Sequence, residues 1–159
     1  NAVQNKFSWA KERFISPEKY EYLKRYTVKT SDVLITIMGT CGRCAVVPDD
    51  IPIAINTKHL CCITLDKKKC LPSFLHAYFL MHPFAKRYLG QAAKGAIMDG
   101  LNMGKIKEMP IPIVPISIQK EYEIISSKVS KLASDQKIGV EAAWESFSSL
   151  SQKAFAGDL

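Results

Sequence analysis

No stretch of the sequence approaches the roughly 18 consecutive apolar residues that a membrane span requires, and no secretion signal opens it. Glycine is scarce at eight in 159 residues. None of it forms a G-x-x-x-x-G-K phosphate loop, or a strand–helix turn with an acidic partner that would hold S-adenosylmethionine. The G-x-S-x-G elbow of serine hydrolases and the H-E-x-x-H helix of zinc peptidases are missing too. Cysteine is limited to five residues, an odd count that a closed disulfide scaffold does not explain and that fits a reducing, cytoplasmic compartment. Proline is absent from residues 116–159, so nothing there forbids one long helix. The chain starts at Asn1 without a Met, which reads as a trimmed piece of something longer.

What is present is positive charge. Lys and Arg number 22 against 15 Asp and Glu, a net of +7. Residues 1–117 hold 17 basic and 9 acidic side chains, whereas residues 118–159 hold 5 and 6. The first part is therefore at +8 and the second at −1. An excess so placed points to phosphate-bearing partners; composition alone leaves a merely soluble basic surface equally open.

Ser16-Pro17-Glu18 is a helix start: a capping hydroxyl, a proline with no amide to leave unpaired, and an acid at the positive end of the dipole. A short helix through about Leu23 follows. Val33 to Met38, Arg43 to Val47, Ile51 to Ile55 and Leu60 to Leu65 read as strands, separated by Gly39-Thr40-Cys41-Gly42 and Pro48-Asp49-Asp50. The spacing of Leu75, Tyr78, Phe79 and His82 predicts a helix from about Pro72, which Pro83 ends or restarts, and a second helix runs through about Ala92. Lys94 to Gly104 reads as a loop and Met109 to Pro115 as a stiff connector. Ile118, Tyr122, Ile125, Val129 and Leu132 then recur at gaps of four, three, four and three, a coiled-coil seam. The seam loosens at Gln136 and Gly139 and resumes, shifted, at Val140, Trp144, Phe147 and Leu150. One helix of this length would measure roughly 55–60 Å and need another helix to pack on. Two helices broken at Gly139 are the alternative.

The expected fold is thus α+β or α/β. A small domain over residues 1–115, with a mixed, mostly antiparallel sheet and short helices, precedes one long coiled-coil-type helix over residues 116–159.

Three constellations bear chemistry. Cys41-x-x-Cys44 with Cys61-Cys62 could make a four-sulfur zinc site, but neighbours on a strand point to opposite faces, so buried small apolar residues explain them better. Asp49, Asp66 and Lys68 loosely match the acid–acid–lysine pattern of metal-dependent nucleases, although Lys67 stands where an apolar residue is usual and both acids sit in turns. His59, His76 and His82 have no catalytic or metal spacing, and the two helical ones read as structural. The third constellation is a binding surface. Lys6, Lys11, Arg13, Lys19, Lys24, Arg25 and Lys29 interleave with Tyr20, Tyr22 and Tyr26. Arg43, Lys58, Lys94 and Lys105 on loops suit phosphate contact, and Asn56 and Asn102 suit base-edge readout.

These residues carry a family resemblance. Ile15-Ser16-Pro17-Glu18-Lys19-Tyr20, then Ser31-Asp32-Val33-Leu34-Ile35-Thr36-Ile37-Met38-Gly39-Thr40-x-Gly42-Arg43-x-Ala45-Val46-Val47-Pro48, resemble the target recognition domain of type I restriction–modification specificity subunits. Lys105-Ile106-Lys107-Glu108-Met109-Pro110-Ile111-Pro112 and Pro115…Gln119 are similar to the same family, as is the close Ala154-Phe155-Ala156-Gly157-Asp158-Leu159. Val114-Pro115-Ile116 departs from the two prolines usual before the spacer helix, and the cysteines lie outside the pattern.

The resemblance implies two recognition domains per subunit, each reading half of a split duplex-DNA site, joined by two antiparallel helices. It implies no catalysis in this chain and no cofactor of its own. S-adenosylmethionine, ATP and Mg²⁺ would belong to partner modification and restriction subunits. The chain would then be the C-terminal half of such a subunit, its recognition domain short of its first strands. Its helix would pack through Ile125, Val129, Leu132, Phe147 and Leu150, against the other half or a second copy. A nuclease using Asp49, Asp66 and Lys68, and a coiled-coil assembly module that binds no DNA, are the alternatives.

Overall fold

The computed structural model describes residues 2, 4–9, 13–94 and 101–158, with the backbone alone for 92–94. The chain divides into two compact units, Asn1–Gln119 and Lys120–Leu159.

In the first unit, helix α1 (Pro17–Leu23) begins where Ser16 accepts a hydrogen bond from the Lys19 amide at 3.3 Å, and a 3-10 turn, Lys24–Tyr26, extends it. Strands β1 (Val33–Thr36), β2 (Cys44–Val46) and β3 (Leu60–Ile63) form an antiparallel sheet in the order β2-β1-β3. β1 is buried along its whole length, which a continuous apolar run allows when both faces of the sheet are covered. Ile35 stands between Cys44 and Cys61 on one face, and Leu34 between Ala45 and Cys62 on the other.

The first face packs on helices α2 (Pro72–Met81) and α3 (Pro83–Lys94), joining Val33, Ile35, Leu75, Phe79 and Leu89 in the larger core. The second buries Leu34, Ala45 and Val47 with Ala2. α2 ends at His82, held extended at φ −71° and ψ 127° because the following Pro83 crowds a helical backbone. The imidazole Nε2 of His76 lies 3.2 Å from the Asn5 carbonyl and 3.1 Å from the Cys44 carbonyl, so it carries the hydrogen and donates; this histidine is structural.

Helix α4 (Met103–Glu108) and the connector close the unit. Tyr78 donates to the Pro110 carbonyl at 2.8 Å and Tyr88 to that of Lys105 at 3.0 Å. Gln119, 1% exposed, fastens the first turn of helix α5 (Ile116–Ala156). Its amide oxygen accepts from the Leu71 amide at 2.8 Å, and its nitrogen donates to the Lys69 and Val114 carbonyls at 3.0 and 2.7 Å.

Two expectations need correcting. Residues 51–55 are not a strand: they form a single bridge at their last residue, Thr27↔Ile55, because the partner segment is cut short by the 3-10 turn and Pro52 has no amide to donate. The loop expected over 94–104 is bounded more tightly, since α4 already begins at Met103; residues 95–100 lie outside the described ones.

The second unit is the rest of α5. The helix passes Gly139 without a break, so the two-helix alternative does not hold. At about 100° per residue, Ile125, Val129, Leu132, Val140, Trp144, Phe147 and Leu150 fall within one sector of about 120°. The apparent shift in the pattern is therefore a gap at Gln136 in a single stripe. All seven side chains are more than half exposed in this chain, Leu132 at 63% and Trp144 at 64%.

Candidate nucleic-acid interface

The loop between β1 and β2 presents Arg43 and is tightly determined. Buried Thr36 donates its hydroxyl to the Thr40 carbonyl and accepts from the Arg43 amide at 2.9 Å. Its backbone receives the Gly42 amide at 2.9 Å and donates to the Arg43 carbonyl at 2.8 Å. Gly39 and Gly42 sit at φ +73° and +81°, in the left-handed region that side chains with a Cβ rarely adopt. Before β1, Asp32 is 1% exposed. It accepts from the Lys29 amide at 2.8 Å, the Thr64 hydroxyl at 2.7 Å and the Cys62 thiol at 3.1 Å. These contacts lock the entry to the central strand.

The turn holding Lys58 and the segment leading to Asn102 both meet the chain just after β1, where the Ile37 amide donates to the His59 carbonyl at 3.0 Å and the Leu101 amide to the Ile37 carbonyl at 2.8 Å. Arg43 lines an open groove with Lys86 of α3, a residue that loop-based reasoning passed over because it sits on a helix. Lys58 is exposed in the turn before β3. Asn56, in the same segment, donates its side-chain nitrogen to the Leu60 carbonyl at 2.8 Å, and its amide oxygen is buried without a partner. Asn102 caps α4, accepting from the Gly104 amide at 2.8 Å. Lys105 pairs with Glu108 at 3.5 Å on the solvent side of α4. The side chain of Lys94 lies outside the described residues. On the α1 side, Tyr22 is 91% exposed and the Arg25 guanidinium stands 4.7 Å from the centre of the Tyr26 ring.

The cysteines belong to the packing. Cys61 faces the larger core and Cys62 the smaller one, which separates the pair that a zinc site needs. Burial pushes the Cys44 thiol up from the ordinary 9.0 to about 12 and raises Cys61 and Cys70 too. For Cys62, burial comes first and the hydrogen bond to Asp32 second, both favouring the protonated thiol. Metal ligation and nucleophilic attack require the thiolate. Among the described residues no group of three or more His, Cys, Asp and Glu could hold a metal. Asp66 organises the triple-lysine turn, accepting from the Lys68 amide at 3.0 Å and lying 4.0 Å from the Lys69 ammonium, while Asp49 is exposed after β2.

Fold and surface together define a class: a basic α+β domain with a two-cluster core, followed in the chain by a long helix with an apolar stripe. Over residues 2–141 the chain matches the family described as type I restriction modification DNA specificity domain, and it belongs to that family. It is 31% identical over 153 residues to the type I restriction enzyme EcoBI specificity subunit of Escherichia coli. That match takes in 92% of this chain and 31% of the relative, so the chain spans about a third of that relative's length.

Proposed function

We propose that this chain reads duplex DNA as part of a type I restriction–modification specificity subunit and directs partner modification and restriction subunits to the target. The observation that carries the reading is its membership of a DNA specificity family, and the net charge of +8 on residues 1–117 supports it. In this proposal residues 1–115 are the target recognition domain, and Arg43, Lys58, Lys94 and Lys105 meet phosphates. Asn56 and Asn102 are the weaker part of the set, because each already makes a hydrogen bond within the fold.

Residues 116–159 form the spacer, and the stripe holding Ile125, Val129, Leu132, Phe147 and Leu150 is the seam of a coiled coil with another such helix. The chemistry and its S-adenosylmethionine, ATP and Mg²⁺ reside on the partner subunits, in the cytoplasm. The test is to map the bases methylated by the complex containing this chain, then titrate that complex with a duplex carrying the mapped site and with a scrambled one. A preference of about 10³-fold or more for the mapped site is expected. Equal affinity for both duplexes refutes the reading.

A further inference from the structure

The groove between the β1–β2 loop and helices α2 and α3 holds about 470 Å³ and is lined by Asn5, Thr40, Arg43, Lys86 and the apolar side chains of Phe79 and Leu89, among others. Among the described residues it carries two cations, no carboxylate lines it, and neither Arg43 nor Lys86 takes part in an ion pair. Two like charges beside one concavity, against low-dielectric walls, raise each other's energy and focus a positive potential that an anion relieves.

The wall bearing Arg43 is fixed by the Thr36 hydrogen bonds and the two left-handed glycines, and Gly42 sits on Leu89 of α3, where an added Cβ would lie 3.9 Å from that side chain. The backbone that carries Arg43 is set before any ligand arrives. We propose that this groove seats a backbone phosphate of duplex DNA, with Arg43 and Lys86 as its two cationic contacts; the inference rests on the duplex-reading function proposed above.

A phosphate fits this geometry better than a base edge does. Phosphates project from the duplex surface and enter a recess, whereas base edges lie on the floor of a groove and are met by a protruding element. Among the described residues the groove also lacks a two-point adenine reader. The carboxamide oxygen of Asn5 already accepts from the Cys44 amide at 3.2 Å, and adenine readout by Asn uses oxygen and nitrogen together. The groove therefore sets register on the duplex and leaves sequence discrimination to other residues.

The experiment compares the wild-type complex with Arg43→Gln, Lys86→Gln and the double variant. Binding is measured on the mapped and scrambled duplexes across a fourfold range of salt. Both side chains are exposed, and equal thermal midpoints confirm that the variants fold. Each substitution should flatten the log–log salt slope by about 0.9, or about 3.5-fold in affinity change over that range, equally for both duplexes. Arg43→Lys should restore the slope. Unaltered slopes in both single variants overturn the groove assignment. A selective loss of preference for the mapped site in Arg43→Gln overturns it too, by making Arg43 a base reader. If the wild-type complex itself does not distinguish the two duplexes, the duplex-reading proposal fails and takes this inference with it.

Discussion

Gln119 shows how one side chain can join segments far apart in sequence. Its amide satisfies the Leu71 N–H, at the residue preceding α2, and the carbonyls of Lys69 and Val114, with 1% of the residue exposed. Leucine would nearly match its volume and keep the site apolar, but would take from three part-buried backbone groups the partner that Gln119 gives them. Such groups cost about 1–3 kcal/mol each when fully unsatisfied, less where the backbone relaxes or water enters. Gln119→Leu should therefore destabilise the first unit by about 2–4 kcal/mol, read as a lower urea midpoint with an unchanged slope. A loss below about 0.5 kcal/mol would show that water replaces the amide at little cost. The residue types at this scale were legible, and their partners were not. An Asn in a loop reads the same whether it caps a helix, as Asn102 does, or faces a base, because both uses require an exposed amide at a chain turn. Lys86 escaped notice for the converse reason: a lysine on a helix resembles any solvated charge until the facing loop is placed beside it.

At the scale of elements, α5 was the most legible because its signal is long: no proline, a heptad spacing, and a lone glycine whose cost of about 1 kcal/mol a helix of 41 residues tolerates. The segment Ile51–Ile55 was the least legible. It has the apolar, β-branched composition of a strand, but pairing needs a partner of matching length, and residues 26–28 offer one bridge. The stripe on α5 gives this scale its prediction. Trp144 and Phe147 meet edge to face at 5.8 Å and are 64% and 60% exposed, so they hold little of this chain's own stability. Trp144→Ala with Phe147→Ala removes apolar surface and raises helix propensity, and surface changes of that kind stay within about 0.5 kcal/mol. The melting of the first unit should not move, whereas association through the helix should weaken at least tenfold in sedimentation equilibrium of the assembled complex. Association unchanged by the pair would show that the stripe is not the seam.

For the whole molecule, the net charge of +7 matters less than its division. The boundary between the units falls beside an uncharged pair, Ile118 and Gln119, so the first unit carries +8 and the second −1. Counterion release depends on cations that sit at phosphates, while cations elsewhere add only a field screened within about 10 Å at 0.1 M salt. Removing the same amount of charge from the two units should therefore have different consequences. Lys120→Gln, Lys128→Gln and Lys131→Gln together lower the net charge to +4, yet should leave the salt slope of duplex binding unchanged to within about 0.3. Arg43→Gln, Lys58→Gln and Lys86→Gln reach the same net charge and should flatten that slope by about 2–3, because each removes one of the phosphate contacts proposed above. Equal flattening by the two triple variants would mean that the duplex responds to the total field of the molecule, and the division of charge along the chain would then have no bearing on how it holds DNA.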